Sequence, residues 1–197
     1  MKKIMFNDKY RLTQAVLEGR KTQTRRIIKM PDYDEEYLDT AFDWDFRESV
    51  IIDRCAKYSI GEIVAIAQSY KNIGYQPTDK TPIIRGSKIE FIEFQKHKGW
   101  NNKMFTSSDN MINFIRITNV RIQRLQDISD DDCLKEGIEF DGKAKLFYYG
   151  FNKSTNSKIW LGSTPREAYA SLIDKICGKG TWDRNPYVFV YDFELLF

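Results

Sequence analysis

A dense group of cations and hydroxyls lies near the start of the chain, in the segment Gly19-Arg20-Lys21-Thr22-Gln23-Thr24-Arg25-Arg26. Guanidinium and ammonium groups donate hydrogen bonds to phosphates, carboxylates and carbonyls, so this composition is typical of a site for a polar or anionic ligand. A solvated basic edge strand, in which Thr22 and Thr24 act only as β-formers, is the alternative that the residues leave open.

The charge of the chain is strongly segregated, although its formal net charge is only +3. Residues 1–30 hold nine basic and two acidic side chains, whereas residues 32–48 hold eight acidic side chains and one basic side chain. Clustering of this kind is a better indication of nucleic-acid binding than the total charge. The acidic run predicts a surface excursion, with mimicry of nucleic acid or contact with a basic partner as alternatives.

Length and composition exclude several classes of protein. The chain has 197 residues, of which 42% are hydrophobic and 30% are charged, so a disordered or membrane-spanning chain is not expected. The basic N-terminus is followed by only three apolar residues, which argues against a signal peptide and predicts a cytoplasmic protein. We expect a single domain over residues 1–197.

The cysteines and the one histidine argue against metal and triad chemistry. Cys55, Cys133 and Cys177 are far apart, form no CxxC pair and predict reduced, mostly buried thiols. His97 lies in a polar stretch and is interpreted as a solvated loop residue. We therefore expect no metal and no cofactor.

The elements that position the basic segment are short strands with helices between them. Helical spacing over residues 8–18 ends at Gly19, and extended patterns follow at residues 21–28, 63–67, 89–94, 113–125 and 187–194. Helices are predicted after Ser129 and after Thr164, where Thr164-Pro165-Arg166-Glu167 forms a capping box. This pattern favours a mixed α+β fold, a curled sheet or open barrel with short helices at its ends.

Two stretches interrupt these elements. An acidic insert is expected at about residues 31–57, and an irregular loop, rich in glycine and proline, at about residues 71–88. The shift of apolar phase near Thr118 predicts a β-bulge in the long strand. The aromatic face of residues 187–193 is interpreted as core.

Several motifs together resemble the ASCH domain, a PUA-like β-barrel family. They are the basic segment at residues 19–26, Tyr58-Ser59-Ile60-Gly61-Glu62-Ile63-Val64, Trp100-Asn101-Asn102-Lys103-Met104-Phe105, Arg124 to Ser129 with Glu136-Gly137-Ile138, and Trp182 to Val188. Their order is that of the phage-like, bacterial branch of the family. The resemblance implies a PUA-like open β-barrel of mixed, mostly antiparallel strands.

The resemblance also implies site residues. One small branch of the family is similar to amidohydrolases that remove the acetyl group from N4-acetylcytidine, and its catalytic positions fall on Lys21, Thr24 and Glu136. We expect these three side chains to converge on one polar pocket, with Arg25 or Arg26 at its rim. Further residues expected to contact nucleic acid or a ligand are Arg20, Thr22, Arg25, Arg26, Gln68, Tyr70, Trp100 and Lys103.

Three functions follow as hypotheses. The first is a binding module that holds RNA or a modified nucleoside at the basic segment. The second is an amidohydrolase acting on N4-acylated cytidine, in which Thr24 serves as nucleophile or positions a water and Lys21 acts as a base. The third is a phage-derived protein-interaction module in which the acidic insert meets a basic partner.

Overall fold

The computed structural model of the protein describes residues 1–29, 44–74, 96–150, 157–159 and 161–196. Two sheets are present, one of five strands in the order β1-β3-β4-β8-β2 and one of three strands in the order β5-β6-β7. The strands are β1 (Lys3–Ile4), β2 (Gln23–Ile27), β3 (Ile63–Ile66), β4 (Phe114–Arg124), β5 (Glu139–Asp141), β6 (Leu146–Tyr148), β7 (Leu161–Gly162) and β8 (Tyr187–Leu196). The α-helices are α1 (Leu12–Leu17), α2 (Trp44–Cys55), α3 (Tyr70–Ile73), α4 (Asp130–Lys135), α5 (Pro165–Cys177) and α6 (Thr181–Arg184).

The five-stranded sheet is mixed. Strand β1 runs parallel to β3, whereas β3 pairs antiparallel with β4 and β2 pairs antiparallel with β8. Among the described residues β1 and β2 are the two ends of the strand order, so these residues do not form a closed barrel. The mixed α+β class is confirmed, and the PUA-like open barrel stays a prediction.

The chain packs as two compact units, a division that the sequence patterns do not predict. The first comprises residues 1–6, 63–116 and 195–197, and the second comprises residues 7–62 and 117–194. Short 3₁₀ turns at Lys98–Trp100, Lys103–Phe105 and Ser108–Asn110 belong to the first unit. Its core includes a cluster of Ala65, Tyr70, Trp100 and Met111.

Two lysines tie the N-terminal strand of the first unit to its 3₁₀ turns. The Nζ of Lys3 donates to the carbonyl oxygens of Lys103 at 3.1 Å and Met104 at 3.0 Å. In return the Nζ of Lys103 donates to the carbonyl oxygen of Phe6. These lysines therefore satisfy backbone carbonyls of a 3₁₀ turn and of the segment that follows β1.

Helix ends in the second unit follow the sequence signals closely. Thr164 and Glu167 form the expected capping box at the start of α5, and Ser129 caps α4 by accepting a hydrogen bond from the backbone of Asp132. Gly19 follows α1 with φ 72°, a left-handed conformation that glycine adopts without a Cβ penalty. The two N-caps fix where α4 and α5 begin, and Gly19 fixes where α1 ends and the basic segment begins.

The strands of the second unit bury the expected residues. In β4 the buried positions change phase from Ile115 and Ile117 to Val120 and Ile122, as the apolar pattern predicts. On β8 the aromatic face is core, with Phe189, Tyr191 and Phe193 buried.

The two predicted interruptions are partly described. Within the acidic insert, residues 44–55 form helix α2, whose Ile51 is buried and whose Glu48 carboxylate accepts a hydrogen bond from the Ile122 backbone at 2.6 Å. This part of the insert packs on the unit instead of extending into solvent. In the loop, Tyr70–Ile73 is a helix turn ended by Gly74. Residues 31–43 of the insert, the rest of the predicted loop and the predicted strand 89–94 lie outside the described residues.

The three thiols differ in accessibility, and this difference gives a direct test of the fold. Cys133 is buried, Cys55 is half-buried and Cys177 is exposed, so the expectation of mostly buried thiols holds for Cys133 alone. Burial raises the pKa of Cys133 to about 12, which suppresses its thiolate.

We expect a maleimide to modify Cys177 in the native protein and to leave Cys133 intact, as peptide mass spectrometry will show. In denaturant all three should react, and native modification of Cys133 at the rate of Cys177 contradicts the packing of α4.

Candidate functional site

The turn after α1 places Lys21 inside the second unit. The backbone N–H groups of Arg20 and Lys21 both donate to the carbonyl oxygen of Ala15 at 2.9 Å, which bends the chain sharply after Gly19. Lys21 is buried, with 2% of the whole residue exposed. Its ammonium donates to the carbonyl oxygens of Gln23 at 2.7 Å and Glu136 at 2.8 Å. It also contacts the Glu136 carboxylate at 2.5 Å. The lysine is therefore a buried, fully coordinated cation.

The end of α4 delivers Glu136 to that cation. Glu136 is the C-cap residue, and the carbonyl oxygen of Lys135 accepts a hydrogen bond from the Thr22 backbone at 3.0 Å. Gly137 follows with φ 101°, and a Cβ at this position would lie 3.3 Å from Leu12 Cδ2. Glycine is required here because both its backbone conformation and its close approach to α1 disfavour a side chain.

Alternate residues of β2 continue the site along one face of the strand. The guanidinium of Arg25 bridges two carboxylates, Asp132 at 2.9 Å and Glu136 at 3.1 Å. Gln23 accepts a hydrogen bond from Arg25 and donates to Asp192 at 2.6 Å. Side chains two positions apart share a face of a strand, which explains why these two side chains act together.

A third cation extends this chain of contacts. Arg121 on β4 pairs with Asp132 at 3.2 Å and with Asp192 on β8. We call this set the ion-pair network; it consists of Lys21, Gln23, Arg25, Arg121, Asp132, Glu136 and Asp192.

The ion-pair network is neutral and graded in exposure. The three cations of this set face three carboxylates, so the formal charge of the set is zero; the exposed Lys135 also contacts Asp132, at 3.5 Å. Side-chain exposure is 1% for Lys21, 6% for Glu136 and 14% for Asp132, and rises to 26% for Asp192 and 31% for Arg121. One end is thus enclosed by protein, and the other end meets solvent.

Burial and charge shift the pKa values of the network in opposite directions. Burial lowers the pKa of Lys21, the Glu136 carboxylate raises it, and the Arg26 and Arg25 charges lower it further. From the sequence, the pKa of Lys21 is expected to be lowered by the neighbouring cations. In the structure it is lowered, and the larger cause is the burial of the ammonium. For Asp132, burial raises the pKa, and the hydrogen bond and charge of Arg25 with the charge of Arg121 more than offset it, so the pKa is lowered.

The structure brings together two of the three expected catalytic residues. Lys21 and Glu136 are in direct contact although 115 positions separate them. Thr24 is buried and pairs with Tyr191 across β2 and β8. Because strand side chains alternate, Thr24 lies on the face opposite to Gln23 and Arg25. Arg25, expected at a rim, is in the buried part of the network.

The remaining residues of the basic segment do not form a solvated cationic patch. Arg20 is half-exposed and pairs with Glu18 at 2.6 Å and Glu139 at 3.2 Å. Thr22 is half-buried, and its backbone is bonded on both sides. Arg26 is half-buried and lies close enough to Lys21 for its charge to act there. Among the described strands β2 lies at one end of the sheet, as the edge interpretation expects, but Lys21 and Arg25 are buried and not solvated.

The other four expected ligand contacts lie in the first unit. Tyr70 and Trp100 pack in its core cluster, and the Tyr70 hydroxyl accepts a hydrogen bond from the Ser107 backbone at 2.8 Å. Gln68 is buried and accepts a hydrogen bond from Asn113 at 2.7 Å. Lys103 binds the Phe6 carbonyl as described above. Trp100 therefore packs in the core of the first unit.

Three carboxylate or guanidinium partners escaped the sequence analysis. These partners lie on three different elements: Arg121 on β4, Asp132 on α4 and Asp192 on β8. No motif in the sequence marks them. The available signal was the alternation of side chains from residue 21 to residue 25: if Lys21 is buried, Arg25 shares its face and requires an acidic partner.

Within the part of the chain that the structure describes, no group of three or more His, Cys, Asp or Glu side chains is arranged to hold a metal ion. None of the described helices is both long and apolar enough to cross a bilayer.

Comparison with known proteins adds little. No family model matches the sequence, and no curated protein matches it. The chain is similar to the crystal structure of protein EF3133 from Enterococcus faecalis, assigned to the family model DUF984, with 13% identity and a TM-score of 0.42. The match covers 100% of this chain and 80% of the other. A likeness this distant identifies neither a family nor a function.

The lowered pKa of Asp132 predicts a specific acid sensitivity. A carboxylate whose pKa is lowered on folding stabilises the protein above its unfolded value, 3.8 here, and this stabilisation is lost as the pH falls through the folded value. We expect Asp132→Asn to reduce the free energy of unfolding by about 1.5–3 kcal/mol at pH 7, the range for hydrogen bonds to charged groups. Denaturant titrations from pH 7 downward should show this difference shrinking as the pH falls below 3.8.

The matched control is Asp131→Asn, on the exposed side of the same helix turn. It should change the stability by no more than about 0.5 kcal/mol at any pH, as is usual for surface substitutions. An Asp132→Asn variant as stable as the native protein at pH 7 would contradict the network described here.

Proposed function

We propose that this protein binds a modified nucleoside, an N4-acylated cytidine, at the ion-pair network. The observation that carries the proposal is the Glu136 carboxylate, 6% exposed and held between Lys21 at 2.5 Å and Arg25 at 3.1 Å. An N4-acyl group presents one N–H beside one carbonyl oxygen. A fixed carboxylate is complementary to the N–H, and the Nε–H of Arg25, which has no hydrogen-bond partner among the described residues, is complementary to the oxygen.

The pairing of charges favours a neutral ligand over an RNA chain. Binding to a phosphate backbone requires cations that release counterions from the nucleic acid. In the basic segment Arg20, Lys21 and Arg25 are all engaged by carboxylates of the protein. A free nucleoside carries no phosphate that would compete for these cations, and the network reaches solvent at Arg121.

The resemblance to the ASCH domain supports the same ligand. Its motifs place Lys21 and Glu136 among the functional residues of the branch similar to N4-acetylcytidine amidohydrolases. Their contact in space agrees with a shared role that the linear sequence does not require.

Isothermal titration calorimetry tests the proposal. We expect N4-acetylcytidine to bind more tightly than cytidine, with an affinity that changes little between low and high salt, because no phosphate is neutralised. Glu136→Gln should weaken the binding of N4-acetylcytidine by at least tenfold, since a hydrogen bond to a charged group contributes about 1.5–3 kcal/mol.

The control is Glu194→Gln, an exposed carboxylate on β8, which should leave the affinity unchanged. Circular dichroism establishes that both variants are folded. Equal affinity for cytidine and N4-acetylcytidine would refute the proposal. A short single-stranded RNA that binds more tightly than N4-acetylcytidine, with an affinity that falls steeply with salt, would favour RNA binding instead.

Hydrolysis of the bound amide is a second candidate function, and the Lys21–Glu136 contact favours it. Water adds to the acyl carbon, the bond from that carbon to N4 breaks, and the products are a carboxylic acid and the free amine. One proton must leave the water and one must reach the amine. A lysine and a glutamate 2.5 Å apart, in an environment that lowers the pKa of the lysine, suit this exchange.

Activity measurements with two variants separate the roles. Lys21→Met should reduce the release of cytidine from N4-acetylcytidine by about 100-fold or more, the usual size of general acid–base catalysis. Thr24→Val should retain activity, because Thr24 lies on the opposite face of β2 and the attacking group is then water. Lys158→Met, which removes a half-exposed lysine paired with Asp141, is the control. Chromatography of the nucleosides gives the rates, and a native protein without turnover rules out this second function.

A further inference from the structure

A buried hydroxyl next to the ion-pair network lacks a partner. Among the described residues three buried side-chain polar atoms have no hydrogen-bond partner, and two of them are the Tyr169 hydroxyl and the Nε of Arg25. Tyr169 lies on α5 and is 1% exposed. An unsatisfied polar group in a protein interior is costly, so its retention calls for an explanation.

Tyr169 belongs spatially to the candidate site. Its ring centroid lies 6.0 Å from the guanidinium carbon of Arg25, and Trp182 packs against its ring edge-on at 6.2 Å. Burial, followed by the charge of Glu136, raises the pKa of Tyr169 well above 10. The hydroxyl therefore remains protonated and can donate a hydrogen bond at any physiological pH.

We propose that Tyr169 is a binding residue of this site and that its hydroxyl, with the neighbouring Nε–H of Arg25, donates to the acyl carbonyl oxygen of the ligand. This inference rests on the proposed function and deepens it. Both groups are donors without acceptors, and a carbonyl oxygen has two lone pairs to accept from them. Cytidine has no acyl oxygen, so this pair of donors distinguishes the acylated nucleoside from the plain one.

The substitution Tyr169→Phe removes the hydroxyl and keeps the ring. We expect a roughly threefold to tenfold loss of affinity for N4-acetylcytidine, equivalent to one hydrogen bond, and no change for cytidine. Without ligand the variant should melt about 2–4 °C above the native protein, because an unsatisfied buried group has been deleted. Calorimetry and thermal unfolding provide these two measurements.

Tyr149→Phe is the matched control. Tyr149 is fully buried in the same unit, but its hydroxyl is hydrogen-bonded to Ser171 at 2.9 Å. Its removal should lower the melting temperature and leave both affinities unchanged. A buried tyrosine that only supports the fold would behave like this control.

The outcomes separate the two proposals. If the native protein binds N4-acetylcytidine and Tyr169→Phe binds it equally well, the role of Tyr169 is refuted and the proposed function stands. A Tyr169→Phe variant that melts below the native protein shows that the hydroxyl was already satisfied, and it also overturns this inference. If the native protein does not bind N4-acetylcytidine, both proposals fail.

Discussion

The burial of the Lys21 ammonium is the constraint on which the second unit depends. Removing a charged group from water costs several kcal/mol even after the protein relaxes, so its partners must be fixed in advance. Here two backbone carbonyls and one carboxylate surround it. Those acceptors come from β2 and from the end of α4, so the turn after α1, the start of β2 and the end of α4 must meet at one point. Gly19 and Gly137 make that meeting sterically possible.

The charges of the ion-pair network balance one another, and this balance allows so many charged groups to be buried together. Replacing buried ion pairs by well-packed apolar residues is often neutral or stabilising, so stability alone is a weak reason for retaining one. A network that stays buried at Lys21 and reaches solvent at Arg121 is compatible with the polar ligand proposed above. The unsatisfied hydroxyl of Tyr169 supports this view, because it lowers the stability of the free protein.

Local signals in the sequence predicted much of the scaffold. The capping box at Thr164, the helix stop at Gly19 and the change of phase in β4 depend on neighbouring residues, and local patterns record them. The placement of Lys21 against Glu136 came from the resemblance, since no periodicity connects positions so far apart. The burial of the cations was not foreseen, because a basic segment in a sequence gives no indication of the carboxylates that fold against it. Asp192 and Arg121 enter the site through strand pairing, which single-sequence patterns do not specify.

Ion pairing of this kind also restricts how the sequence can diverge. If Lys21 becomes neutral by a single mutation, Glu136 loses one of its two cations while it remains buried, so the intermediate sequence carries an uncompensated charge. The same applies to Arg25, which serves Asp132 and Glu136 together. Substitutions at these positions should therefore be fixed as coordinated sets during evolution, whereas exposed neighbours such as Asp131 drift independently. The network behaves as one inherited unit distributed over three strands of the sheet, a helix and a turn.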